Sequence, residues 1–439
     1  MASPALRRTL TLRDLIVYGL LFIGPLAPVG VFGVLDARTD GAVALVYVVA
    51  TIAMAFTAWS YAEMSRVVPH AGSVFAYAST ALGSMPGFLA GWLAMLDYLL
   101  IPSVAYLFSG ISLHALVPAV PVWVFTIGAF AITTALNLSG VRLAARVGLV
   151  VLVVEIVVLL VFVAVAASAL ATTGPTRPWF SPLTGLGPFA LAPIIGAVSV
   201  AVLSFLGFDA IASFAEESAG SERDVGRAIL VCLVAAGTVF ILQTWLAALV
   251  SPVNPGELAA RPERQGTAFY DITRAALGPW LAIVLSITKA VGPAFAAMTA
   301  QAAAARLLFG MARDGRLPRA LAAVDARHGV PRTALVTAAA LTLVVSVWAA
   351  RRSDGLDVLV SIVDVGALAA FTLLHASVLG YFAWQKRDAV RPAHYVVPIL
   401  GAIVSVWVIA EARPLAHAVA AVWLAAGIAA RYWPGGRQQ

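Results

Sequence analysis

Asp97, Glu155, Asp209 and Lys289 stand inside long apolar stretches, where charge is expensive. In hydrocarbon such groups face a bundle interior or a wet cavity and mark ion, proton or substrate paths. Asp97 follows Trp92 and precedes Tyr98. It suits a carboxylate that pairs with a cationic ligand, or one hydrogen-bonded between helices. Asp209 closes the stretch Ser204-Phe205-Leu206-Gly207-Phe208. It suits holding an ammonium, taking up a proton, or bracing backbone N–H groups freed by unwinding. Glu155 has at least six apolar residues on each side and lies 13 residues after Arg142. At 1.5 Å per residue that is roughly 20 Å into a membrane helix. Ionised and unpaired it would cost several kcal/mol there, a cost that proton uptake removes. Lys289 suits pairing with Glu155 or another acid, or snorkelling outward. Asp364 and His375 are possible relay groups. Phe22, Phe32, Tyr98, Phe205 and Phe208 offer faces for cation–π contact or simple packing.

Other chemistries have no residues to carry them. Cys232 is the single cysteine, so neither a disulfide framework nor a cysteine metal site is expected. No His-Glu-x-x-His, Gly-x-Ser-x-Gly or Walker motif occurs, so no metal, cofactor or enzymatic activity is expected. The run Arg313-Asp314-Gly315-Arg316-Leu317-Pro318 reads as a loop with cytoplasmic charge, not a phosphate or nucleic-acid site.

The elements that position these groups follow from composition. Of 439 residues, 62% are hydrophobic and 11% charged, against about 45–50% and about a quarter in soluble domains. That excludes a soluble enzyme, a disordered chain and a nucleic-acid module, and leaves a polytopic helical membrane protein. Apolar runs lie at about 15–35, 43–62, 87–116, 122–138, 147–170, 191–214, 228–250, 279–309, 333–350, 358–384, 395–410 and 414–430, numbered here 1 to 12. They are continuous rather than alternating, which excludes a membrane barrel. Run 1 is too long for a signal peptide.

An even count puts both termini on one side. With that side cytoplasmic, inner segments hold Arg7, Arg8, Arg13, Arg66, Arg142, Arg146, Arg223, Arg227, Arg306, Arg313, Arg316, Arg319, Arg327, Arg332, Lys386, Arg387, Arg391, Arg431 and Arg437. Outer segments hold Arg38, Arg177, Arg261, Arg264, Arg274, Arg351, Arg352 and Arg413, less than half as many. The positive-inside bias therefore predicts both termini in the cytoplasm.

Run 1 contains Gly24-Pro25-Leu26-Ala27-Pro28-Val29-Gly30. Two prolines without N–H groups, flanked by glycines, predict a true break rather than a single kink. Five runs later Gly207 and Asp209 mark a second break. Interrupted helices 1 and 6 are what a five-plus-five inverted repeat predicts, with runs 11 and 12 outside it. A further trace is GSVFAYASTALG (72–83) against GTAFYDITRAALG (266–278), each followed by Trp-Leu-Ala at Trp92 and Trp280.

These stretches together resemble the amino acid–polyamine–organocation (APC) superfamily of transporters over nearly the whole chain. They include YGLLFIGPLAPVGVFG in run 1, MAFTAWSYAEMSRVVPHAGSVFAYAS through run 2, GFLAGWLAMLDYLLIP in run 3 and LNLSGVRLAARVG after run 4. LSFLGFDAIASFAEES in run 6 and RLLFGMARDGRLPRALAAV with GVPRTAL before run 9 complete the set. The YGL…GPLAPVGVFG and LDYLLIP stretches look most like the bacterial putrescine-importer-like branch. The resemblance implies an all-α fold of the leucine-transporter type with twelve transmembrane helices. It would be a single membrane domain over 1–439, with helices 1–5 in 14–170, helices 6–10 in 190–384 and helices 11–12 in 394–432.

It also implies secondary active import of an amino acid or polyamine by alternating access, often proton-driven, in a bacterial inner membrane. An amine or amino acid exchanger and a non-transporting sensor of the same fold are the alternatives. The expected partners are a small amine or amino acid, the lipid bilayer and a coupling proton, with sodium the other candidate ion. No nucleic acid is expected, and the sequence leaves the oligomeric state open.

Two departures bear on the site. Many members carry Gly-Ser/Thr-Gly at the first break, where backbone N–H groups hold a carboxylate; here Pro25 and Pro28 have none to give. Some members carry a lysine in helix 5 where sodium-coupled relatives bind an ion; the matching position here is Glu155. The substrate site is therefore expected at Gly24, Pro25, Leu26, Ala27, Pro28 and Gly30, with Phe205, Leu206, Gly207, Phe208 and Asp209, lined by Asp97 and Tyr98. Glu155 and then Asp209 are the expected proton-coupling groups.

Overall fold

In the computed structural model, the described residues are 8–432 apart from 71, 326–328, 353–354, 387–389 and 413. Arg7, Arg327, Arg387, Arg413 and Arg437 of the charge pattern lie outside them. The architecture is helical, and among the described residues ten helices are long and apolar enough to cross a membrane. Two further apolar helices, Val122–Leu138 and Pro414–Ala429, are shorter than a full crossing length.

The first interruption follows from its sequence. Thr11 caps the helix Leu12–Ile23, its hydroxyl accepting from the Asp14 N–H while the Asp14 carboxylate accepts from the Thr11 N–H. The helix stops at Gly24, whose φ of 75° lies in the region open to glycine. A 3₁₀ turn, Ala27–Gly30, follows with Pro28 in its first turn, and α-helix resumes over Phe32–Arg38. In run 6 the helix Leu191–Leu203 ends in a turn, Gly207 takes φ 116°, and a 3₁₀ helix continues over Phe208–Glu217.

The two similar segments form helices of 9 residues each, Val74–Leu82 and Ala268–Ala276. Each leads into a long helix, Ser84–Leu116 of run 3 and Pro279–Arg313 of run 8. These two long helices pack against each other and carry much of the bundle's centre. In run 5, Val141–Thr173, the side chains of Val150, Val153, Val154, Val157 and Leu160 are exposed at helical spacing while Glu155 is buried. That stripe is a lipid-facing surface, which turns Glu155 toward the bundle.

Run 12 is tied in by a reciprocal clasp. Trp92 Nε1 donates to the Trp423 carbonyl at 2.7 Å, Trp423 Nε1 donates to the Trp92 carbonyl at 2.6 Å, and the rings stack 4.7 Å apart.

Candidate functional site

Both interruptions open onto one cavity of about 120 Å³. Run 1 contributes Phe22, Ile23, Gly24, Leu26, Ala27, Gly30 and Val31, and run 6 contributes Leu203, Ser204 and Leu206. Run 3 supplies Ile101, Val104, Ala105 and Phe108, and run 8 supplies Lys289, Gly292, Pro293 and Ala296. Glu155 completes the wall from run 5. The lining is mostly apolar, so its one anion and one cation set its electrostatics.

Lys289 does not snorkel. Its Nζ donates to the Leu26 carbonyl at 3.0 Å, in the segment the break unwound. The neighbouring Pro25 carbonyl accepts from Gln243 Nε2 of run 7 at 2.9 Å. Carbonyls that lost helical partners are thus satisfied by side chains from other helices, as a buried break requires. Glu155 lies in electrostatic range of Lys289, without an ion pair inside 4.0 Å among the described residues. Its Oε2 is buried with no hydrogen-bond partner. Gly292 lets the carboxylate approach run 8, since any β-carbon there would collide with Glu155 Oε1.

Of the residues expected from sequence, Gly24, Leu26, Ala27, Gly30, Leu206 and Glu155 line this cavity. Pro25 and Pro28 belong to the break without facing the cavity. Asp97, Tyr98, Phe205, Gly207, Phe208 and Asp209 are not in its lining, and all six are buried. Tyr98 Oη donates to Asp209 Oδ2 at 2.7 Å, and the Gly207 N–H donates to Asp209 Oδ1 at 3.2 Å. Asp209 therefore braces the unwound turn across to run 3. Phe22 packs on Gly207, where a β-carbon would lie 2.6 Å from its ring. His375 is held by Thr57 at 3.3 Å and Ser60 at 3.0 Å.

The cavity lies between two buried ion pairs that residue-by-residue reading of the sequence missed. On one side Arg306 Nε meets Glu217 Oε1 at 2.5 Å and Nη2 meets Oε2 at 3.1 Å, with the guanidinium 4.3 Å over the Phe214 ring. Phe214 stacks on Tyr18 of run 1, and the Glu217 carbonyl accepts from the N–H groups of Thr9 and Leu10. On the other side Arg177 forks onto Asp36 at 2.8 and 2.9 Å and also donates to Ser251 and the Val253 carbonyl. Asp36 and Glu217 fall at run ends, and only long-range folding brings their arginines to them.

Interrupted helices that meet at a cavity are the arrangement in which many transporters build their substrate sites. The profile of the amino acid permease family matches residues 15–437. The chain belongs to the amino acid permease family. Like its relatives this permease is a membrane transporter, not an enzyme. It is 29% identical to the low-affinity putrescine importer PlaP of Escherichia coli (strain K12), covering 96% of this chain and 92% of that one. It is 26% identical to the branched-chain amino acid permease BcaP of Bacillus subtilis (strain 168), covering 86% and 81%. The gamma-aminobutyric acid permease of Escherichia coli (strain K12) is 26% identical, over 71% and 68%. The permease is thus a multi-pass membrane protein.

Proposed function

We propose that this permease imports a small amine-bearing metabolite, a polyamine such as putrescine or an amino acid, by alternating access linked to protons. The observation that carries this reading is the meeting of both interrupted helices at a cavity that holds Glu155 and Lys289. The reading includes twelve spans, inverted repeats over runs 1–5 and 6–10, and both termini in the cytoplasm. The putrescine importer among the relatives supports the amine, and the amino acid permeases support the zwitterion.

Glu155 is the leading proton carrier and Asp209 the second. A carboxylate at that depth crosses the low-dielectric interior more cheaply when neutral. Asp209 already accepts two hydrogen bonds, whereas Glu155 Oε2 accepts none.

Uptake of labelled putrescine into proteoliposomes, with and without an inward proton gradient, tests the reading. Competition by unlabelled amino acids separates the two substrates. Glu155→Gln should keep substrate binding and lose gradient-driven accumulation. An unchanged response to external pH in that variant makes Glu155 structural, and the same result with Asp209→Asn as well removes proton coupling through these residues. Counterflow without net accumulation would indicate an exchanger, and binding with no flux a sensor.

A further inference from the structure

Outside the cavity lining, three helices bring carboxylates together. Asp97 of run 3 interacts electrostatically with Asp209 of run 6 and Asp364 of run 10. Runs 3 and 10 touch closely here, since a β-carbon on Gly366 would lie 3.2 Å from the Asp97 backbone nitrogen. Asp209 is satisfied by Tyr98 and Gly207. The other two are not. Asp97 is 2% exposed, and its Oδ1 has no hydrogen-bond partner. Asp364 Oδ1 is also buried and unpartnered, as is the hydroxyl of Tyr77, whose ring packs against Tyr61 beside the acids. Among the described residues no lysine, arginine or histidine forms an ion pair with any of the three acids.

We infer that Asp97 and Asp364 form a second cation station that receives an ammonium group of the substrate. The inference rests on the amine reading above and adds to it a place and a selectivity. Buried carboxyl oxygens without partners call for hydrogen-bond donors, and a positively charged donor is the one that also lets them ionise there. A primary ammonium brings three donors and no acceptor, which matches a site made of acceptors and a tyrosine hydroxyl. Asp97 lies one turn before Ile101, which lines the cavity, so the station is roughly 6 Å further along run 3. In the proposed orientation that step leads toward the cytoplasm.

The two places differ in charge. The cavity holds one anion and one cation, which suits a molecule with an ammonium and a carboxylate. The station holds carboxyl groups and, among the described residues, no paired cation. An α,ω-diamine carries two ammonium groups and places one at the station while the other stays in the cavity, whereas an amino acid needs the cavity alone.

Equilibrium binding to the purified full-length protein in sodium-free buffer tests this, with 1,4-diaminobutane and 4-aminobutanoate as probes. They share a four-carbon spacing and one ammonium and differ in the group at the other end. Asp97→Asn and Asp364→Asn, on different helices and isosteric, should each weaken diaminobutane at least tenfold and 4-aminobutanoate less than twofold. Thermal melting of each variant checks its fold. The station is wrong if both variants keep diaminobutane affinity within twofold, or if they weaken the two probes equally. Wild-type protein that binds neither probe overturns the station and the amine reading together. Wild-type protein that binds diaminobutane through both aspartates but moves neither probe into liposomes keeps the station and removes the transport reading.

Discussion

Gly207 shows how much one position can hold. Its φ of 116° is open to glycine and strained for other residues, and the space above it is filled by the Phe22 ring. Gly207→Leu should abolish substrate binding while the protein still expresses, because its side chain drives Phe22 into the cavity that Phe22 lines. Normal affinity in a well-expressed variant would place the site elsewhere. The sequence made the acids legible, because carboxylates are rare in apolar runs and each one stands out. It could not show their partners. Lys289 binds a backbone carbonyl and Gln243 another, and carbonyls are the same at every residue, so no side-chain pattern points to them. The unpartnered oxygens of Asp97 and Asp364 were equally invisible, since a missing partner is a property of three dimensions.

At the scale of elements, the breaks were legible and the ion pairs closing the bundle were not. Paired prolines and a glycine beside an acid interrupt helix by local chemistry alone. Arg306 and Glu217 are 89 residues apart, and Arg177 and Asp36 are 141 apart, so only packing unites them. Both pairs are nearly fully buried. Arg306→Ala leaves Glu217 as a lone buried charge and should cost about 3–5 kcal/mol of stability. Replacing both partners, Arg306→Met with Glu217→Leu, should recover most of that loss, because no unpaired charge remains. Thermal unfolding in detergent reads both. A single variant that melts like the wild type would mean that the pair does not hold runs 6 and 8 together.

Across the whole molecule, composition and run length were enough for an all-helical membrane bundle, because 20-residue apolar stretches admit few other folds. They were weaker at Val122–Leu138 and Pro414–Ala429, where the helices fall short of full crossing length. The side each loop faces rests on lysine and arginine counts alone, and it is open to direct test. Cys232 is fully buried, so introduced cysteines can be read with little background. Arg319→Cys should react with a membrane-impermeant maleimide only in inside-out vesicles, and Arg261→Cys only in right-side-out vesicles. The reverse pattern would invert the protein, and labelling of both from one side would break the span count. The tryptophan clasp has its own consequence for how the bundle is made. Its two halves are 331 residues apart. At ordinary synthesis rates Trp92 is therefore complete roughly 15–65 s before Trp423 exists. During that interval run 3 sits in the bilayer with its indole N–H unmatched, so the nascent bundle stays open along that seam until the final helix leaves the ribosome.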